Sequence, residues 1–294
     1  MRKIQLLLAL FLICLNTVAQ KDKVYSTLEE ALQKPSDVYI LYLENQKLTE
    51  IPDEVFKFPN LRSLNLSGNR LSSVPSTIAQ LSALTELDLS NNRFNSIPET
   101  ITGLTQLTEL DLSSNNLSYI QGTITQLVNL KQLYLNNNKL ISFPDFMTKL
   151  TNLTEIYLYG NLIHTFPESI SKLTNLTEIG LGGNLLTSLP ESMGNLSNLK
   201  YLALSYNKFE TLPFFITRLT KMIVLDLNGN KLTSLPASIA NLKQLAELYL
   251  GSNKLNSLPE AITKLTNLTR INIKDNSGLK LTPAVKAFIA DKKY

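Results

Sequence analysis

Eleven apolar residues recur at a strict interval of 23: Val38, Leu61, Leu84, Leu107, Leu130, Leu153, Leu176, Leu199, Met222, Leu245 and Leu268. No insertion interrupts the series. A fixed period of this size marks a stacked array, because one unit is too small to bury its own apolar residues and must share a core with its neighbours. A compact globule built around one central sheet is thereby excluded. Counting the recurring residue as slot one, the third unit places apolar residues at Leu84, Leu87, Leu89, Phe94, Ile97, Ile101 and Leu104, with Asn92 in slot nine and Pro98 in slot fifteen.

The opening Leu-x-Leu alternates inward and outward, the pattern of a short half-buried strand. One strand per unit, stacked at about 4.8 Å, predicts a parallel sheet of eleven strands about 48 Å across. The second half, with Pro and an apolar spacing of three, predicts a turn followed by a short helical or 3₁₀ piece. These bulkier returns take the opposite side, so the stack should bend with its strands on the inside.

Slot nine is Asn in ten units: Asn69, Asn92, Asn115, Asn138, Asn161, Asn184, Asn207, Asn230, Asn253 and Asn276, with Gln46 in the first. Where the chain turns after each strand, inward backbone groups lose their ladder partners and must be paired otherwise. An amide side chain both donates and accepts, so it can bridge neighbouring turns. The Asn series therefore reads as a structural ladder. The Pro series is broken only at Gln121.

This unit resembles the leucine-rich repeat family in its 23-residue form. The resemblance implies an α/β architecture: a right-handed, horseshoe-shaped solenoid with a parallel sheet on its concave face, spanning residues 38–281. It also implies non-covalent protein binding, and the long run of plain units resembles secreted or envelope proteins of bacteria. An intracellular signalling scaffold of the Ras-associated kind, which shares the 23-residue unit, is the alternative.

In this family slots three, five, seven and eight face the concave side. Seven of the 11 tyrosines fall there, Tyr42, Tyr134, Tyr157, Tyr159, Tyr201, Tyr206 and Tyr249, and none of the 11 phenylalanines does. Both types favour strands, so propensity alone does not separate them. Tyr is also an enriched contact residue at interfaces. Acidic residues share the face: Glu86, Asp88, Glu109 and Asp111 early, then Glu155, Glu178, Asp226 and Glu247. Like charges stacked about 5 Å apart repel, so retaining them has a cost. Gly180, Gly182 and Gly183 leave a gap in the side-chain wall, expected to form a small depression. Lys149, Lys172, Lys243 and Lys264 belong to the returns and should be solvated. Such a face suits a basic or polar protein or peptide segment, or a glycan.

The ends should cap the stack. Residues 21–37 carry an amphipathic pattern over 25–34, with Ser26 and Glu29 in capping-box spacing. Residues 282–294 open with Thr282-Pro283, a helix start, followed by Val285, Phe288 and Ile289 on one face; Asp291 to Tyr294 should fray. Residues 1–20 read as a secretory signal: Arg2 and Lys3, an apolar run from Ile4 to Leu15, and small residues before a cut after Ala19 or Gln20. The run is shorter than the roughly 20 residues of a membrane span. A lipoprotein through Cys14 fits less well, since Ile13 precedes it. Export, with no span remaining after signal removal, is the expectation; a retained Met1 would instead mean a cytoplasmic protein.

Enzyme chemistry finds no footing. The chain has one Cys and one His, far from the four or so ligands of a zinc site. His164 falls in the turn after a strand, away from the concave side. The carboxylate pairs recur with the unit and lack a pocket. No phosphate loop or dinucleotide fingerprint occurs, so neither cofactor nor metal is expected. A net charge of +4, falling to +2 without residues 1–20, is too balanced for a nucleic-acid binder.

Overall fold

The computed structural model describes residues 22–293; the signal segment, its cleavage positions and Cys14 lie outside them. Twelve short parallel strands form one sheet in strict sequence order. They are β1 (Val24–Tyr25), β2 (Ile40–Tyr42), β3 (Ser63–Asn65), β4 (Glu86–Asp88), β5 (Glu109–Asp111), β6 (Gln132–Tyr134), β7 (Glu155–Tyr157), β8 (Glu178–Gly180), β9 (Tyr201–Ala203), β10 (Val224–Asp226), β11 (Glu247–Tyr249) and β12 (Arg270–Asn272). From β2 onward each residue pairs with the residue 23 later, as in Glu86 with Glu109 and Leu87 with Leu110. The fold is therefore a leucine-rich repeat solenoid with one open parallel sheet.

Apolar slots fill the interior in every coil. Leu87, Leu89, Phe94, Ile97, Ile101, Leu104 and Leu107 are all at most 2 % exposed. The coils share one continuous core from Tyr25 to Ile289. In the first ten coils the return is a five-residue 3₁₀ helix, which starts directly after the slot-fifteen Pro wherever that Pro is present, for example Glu99–Gly103 after Pro98. Proline fixes φ near −65° and needs no backbone donor, which suits this entry. At Gln121 the backbone adopts φ −84° and ψ 148°, close to the Pro geometry, and Gly122–Gln126 still forms the 3₁₀ helix.

The Asn ladder is regular. Asn115 Nδ2 donates to Leu89 O in the preceding coil (3.0 Å) and to Leu112 O in its own (3.1 Å), while its Oδ1 accepts from Phe94 N (3.0 Å). Asn161 repeats the arrangement with Leu135 O, Leu158 O and Leu140 N. Gln46 departs from it. It is exposed, and its Nε2 reaches Ser26 O at 3.3 Å, tying the first coil to the N-terminal segment.

Both ends differ from the sequence expectation. The predicted helix over 25–34 is only α1 (Leu28–Ala31), capped by Thr27 rather than Ser26: Thr27 Oγ1 accepts from Glu30 N at 3.3 Å. Ser26 is one residue too early because Val24 and Tyr25 are spent as β1, pairing with Ile40 and Leu41. Tyr25 is 5 % exposed, and Lys23 covers its ring at 4.4 Å. The sheet thus has one strand more than predicted. At the far end, α2 (Pro283–Ile289) is capped by Thr282 and buries Val285 and Ile289. The tail beyond it does not fray at Lys293, which bridges to Arg270: Ile271 N donates to Lys293 O and Lys293 N to Thr269 O, both at 3.0 Å. β1 thus covers the edge of the first repeat strand, β2, and Lys293 bridges the outer edge of β12.

A candidate binding face on the inner sheet

Because Leu occupies slots four and six, slots three and five of each strand project from the opposite, concave surface. Of the 44 positions in slots three, five, seven and eight, ten are carboxylates and two are cations, Arg270 and Lys274 in the last coil. Arg270 Nη1 sits 3.0 Å from Glu247 Oε1 and 3.2 Å from the Tyr249 hydroxyl, which donates to Glu247 in turn. The acids of the coils before Glu247 share their coils with no cation in these slots.

Glu86, Asp88, Glu109 and Asp111 lie in register on β4 and β5 and, with Tyr42 and Asn65, line a shallow hollow of about 140 Å³. Burial raises the carboxyl pKa of Glu109, and the negative charge of Glu86, then Asp111, raises it further. Asp111 is also raised by burial, against the hydrogen bond it accepts from Ser113. That bond reveals a local role that the sequence reading missed. Asp88 Oδ1 accepts from Ser90 N (2.8 Å), Asp111 Oδ1 from Ser113 N (2.7 Å) and Asn65 Oδ1 from Ser67 N (2.8 Å). The slot-five Asx residue closes the turn after the strand. The Asn/Asp-Leu-Ser spelling of slots five to seven carries that signal. The slot-three acids Glu86, Glu109, Glu155 and Glu178 make no such turn contact.

Next along the sheet come the tyrosines. Tyr134 and Tyr157 stack at 5.2 Å with 2° between their planes, and Tyr157 and Tyr159 at 6.1 Å with 17°. Tyr157 donates its hydroxyl to Glu178, and Gln132 Nε2 donates to Glu155 Oε1 at 2.9 Å. Partial burial, then the charges of Glu109 and Glu155, push the Tyr134 hydroxyl up to about 12. Tyr157 and Tyr159 are raised further, first by burial and then by their hydrogen bonds to Glu178 and Tyr201. All these phenols therefore stay neutral at neutral pH.

The glycine gap is not a depression. A Cβ on Gly180 would lie 2.2 Å from Tyr159 Cε2, and one on Gly182 would lie 2.8 Å from Tyr159 Cδ1. The missing side chains are the bed on which the Tyr159 ring lies. The ring crosses β8, and its hydroxyl meets that of Tyr201, two coils away, at 2.9 Å. Tyr134, Tyr157, Tyr159 and Tyr201 thus form one connected platform over β6 to β9.

Slot eight has positive φ in every coil, from Asn45 at 58° to Asp275 at 58°. Most occupants are Gly, Asn or Asp, which accept this geometry; the others are the small Ser114 and Ser252 and one bulky residue. Tyr206 holds φ 53°, is 68 % exposed and lies against Gly229. A bulky residue in this region is strained, and such positions concentrate at functional sites. Of the other sequence candidates, Asp226 closes its turn through Asn228 N (3.0 Å). His164 is exposed on the flank, and Lys149, Lys172, Lys243 and Lys264 are exposed on the returns. Among the described residues no group of three or more His, Cys, Asp or Glu could hold a metal ion, and no helix is long and apolar enough to cross a membrane.

Comparison with known proteins agrees with this architecture. Models described as leucine rich repeat match residues 36–94 and 95–140, one described as leucine rich repeats (2 copies) matches 128–173, and a leucine-rich repeat region matches 187–286. No curated protein matches the chain significantly by sequence. Among solved structures, a leucine-rich repeat protein of Leptospira interrogans is 26 % identical with a TM-score of 0.57, over 92 % of this chain and 99 % of that one. The plant peptide hormone receptor RGFR1, solved with RGF2, is 26 % identical with a TM-score of 0.64, over 79 % of this chain and 42 % of the receptor. TLR13, solved with an RNA named ssRNA13, is 26 % identical with a TM-score of 0.70, over 86 % of this chain and 42 % of that one. The chain thus spans under half of each receptor. From its repeats, its fold and these matches, the chain belongs to the leucine-rich repeat family.

Proposed function

We propose that this protein is an exported, non-catalytic binding module that recognises a protein or peptide through the acidic, tyrosine-bearing concave face. The carrying observation is the Tyr134–Tyr157–Tyr159–Tyr201 platform set among carboxylates. Rigid, amphipathic rings provide contact area at low entropic cost, and tyrosine is favoured where binding energy concentrates. The similarity to a receptor solved with a peptide hormone supports a peptide-like ligand. A glycan fits less well, because the faces of Tyr134 and Tyr157 that cover one another are closed to a stacking sugar. RNA accompanies one similar structure, but ten carboxylates against two cations on this face would repel a phosphate backbone. Export rests on the signal-like residues 1–20.

The test is capture of a partner from the natural environment of the protein, compared between the wild-type chain and Tyr157→Ala with Tyr201→Ala. Capture is expected to be lost, with the melting curve retained because both rings are partly solvent-facing. Undiminished capture would place binding on the flanks or the convex side. N-terminal sequencing tests export: a start near Gln20 or Lys21 supports it, and an intact Met1 rejects it.

A further inference from the structure

We propose that the segment recognised is extended, crosses the strands, and carries two basic side chains four residues apart with an apolar residue midway. The proposal rests on the reading above and sharpens it from the spacing of charges along the sheet.

Six of the acids fall into two groups on neighbouring strands, with Glu44, Asp226 and Asp275 standing apart from them. The first surrounds the hollow on β4 and β5: Glu86 and Glu109, with Asp88 and Asp111 beside them. The second is Glu155 and Glu178 on β7 and β8. Between them stands β6, whose slot three is the neutral Gln132, already engaged with Glu155, and whose slot five is Tyr134. The cations of the face lie in the coil of Arg270, four coils beyond Glu178. Group centres are three coils apart, about 14 Å at the interstrand spacing of about 4.8 Å. Curvature toward the ligand brings the side-chain tips somewhat closer than that.

An extended chain advances about 3.3 Å per residue and alternates its side chains. Residues i and i+4 are then about 13 Å apart and on one side, which matches the two acid groups. Residue i+2 shares that side and arrives over β6, against the Tyr134 ring. Residues i and i+3 are about 10 Å apart and on opposite sides, so they cannot serve both groups. A cation in each group offsets the repulsion between carboxylates held in register, with charge-assisted hydrogen bonds. The stacked Tyr134 and Tyr157 edges supply an apolar surface for the middle residue.

Two dye-labelled synthetic peptides in a Gly-Ser background test this by fluorescence anisotropy with the purified protein. One contains Arg-Ser-Leu-Ser-Arg and the other Arg-Ser-Leu-Arg-Ser. The first is expected to bind at least about ten-fold tighter, the scale of one lost charge-assisted contact, with affinity falling as salt rises. Either E86Q with E109Q or E155Q with E178Q should reduce the first peptide to the level of the second, with a cooperative melting transition no lower than about that of the wild type verifying the fold. Equal binding of the two peptides, abolished by Tyr157→Ala with Tyr201→Ala, would overturn the spacing while leaving the concave-face reading intact. Binding of neither peptide would also overturn the proposal, and the capture experiment then judges the broader reading alone.

Discussion

At the scale of single residues, the repeat is broken in three ways. Gln121 replaces the slot-fifteen Pro, and its Oε1 is buried without a hydrogen-bond partner among the described residues. Its φ of −84° already suits proline. Gln121→Pro is therefore expected to stabilise by about 0.5–1 kcal/mol, through lost freedom of the unfolded chain and removal of the orphaned amide oxygen. Chemical denaturation reads this, and destabilisation would mean that the Gln side chain holds the return in place. Tyr206 breaks the repeat in the opposite sense, as a bulky residue at φ 53°. Tyr206→Gly should relieve left-handed strain and gain about 1 kcal/mol in thermal unfolding, while weakening partner capture. If stability falls instead, packing against Gly229 outweighs the strain. The third break, glycine at slots five and seven of one coil, makes room for Tyr159. The sequence announces all three as departures from the unit. It does not say that the glycines are filled from a neighbouring coil, because that depends on which way a ring turns.

At the scale of elements, each strand is a three-residue step whose neighbours repeat its chemistry, so identical side chains become columns. For Leu this builds the core. For Glu it stacks like charges, and Glu109 suffers most, with burial and Glu86 both raising its carboxyl pKa. Since the folded value lies above the unfolded one, ionised Glu109 costs stability above its folded pKa, and the cost vanishes once pH falls below the unfolded value. Glu109→Gln should accordingly stabilise at neutral pH by a few tenths of a kcal/mol, a modest figure because the group is partly exposed. The gain should disappear in acid. Unfolding midpoints of both chains between about pH 3 and 7 check this, and a pH-independent difference would assign the effect to packing. The slot-five acids behave otherwise, since Asp88 and Asp111 close turns through Ser90 and Ser113. The repeat itself thus supplies a local reason for the three slot-five acids, Asp88, Asp111 and Asp226, leaving slot three as the part best placed to select a ligand.

At the scale of the whole molecule, stability passes from coil to coil, so damage at one end should stay near that end. Val285→Asp places a charge where Val285 is fully buried beneath the last coils and is expected to cost at least about 3 kcal/mol. Hydrogen exchange should accelerate first in the coils from Leu245 onward while the coils around β3 to β6 keep their protection. Uniform acceleration would mean a single cooperative unit. The spacing of 23, the buried slots, the Asn bridges and the helix start at Thr282 are all legible in the chain, because each follows from backbone satisfaction and burial repeated at a constant interval. Tertiary structure alone decided the rest. Val24–Tyr25 and Lys293 become sheet partners only where an open edge is within reach. The tyrosines become one platform only because stacking sets side chains from different coils about 5 Å apart, a proximity that a linear reading spaces 23 residues away.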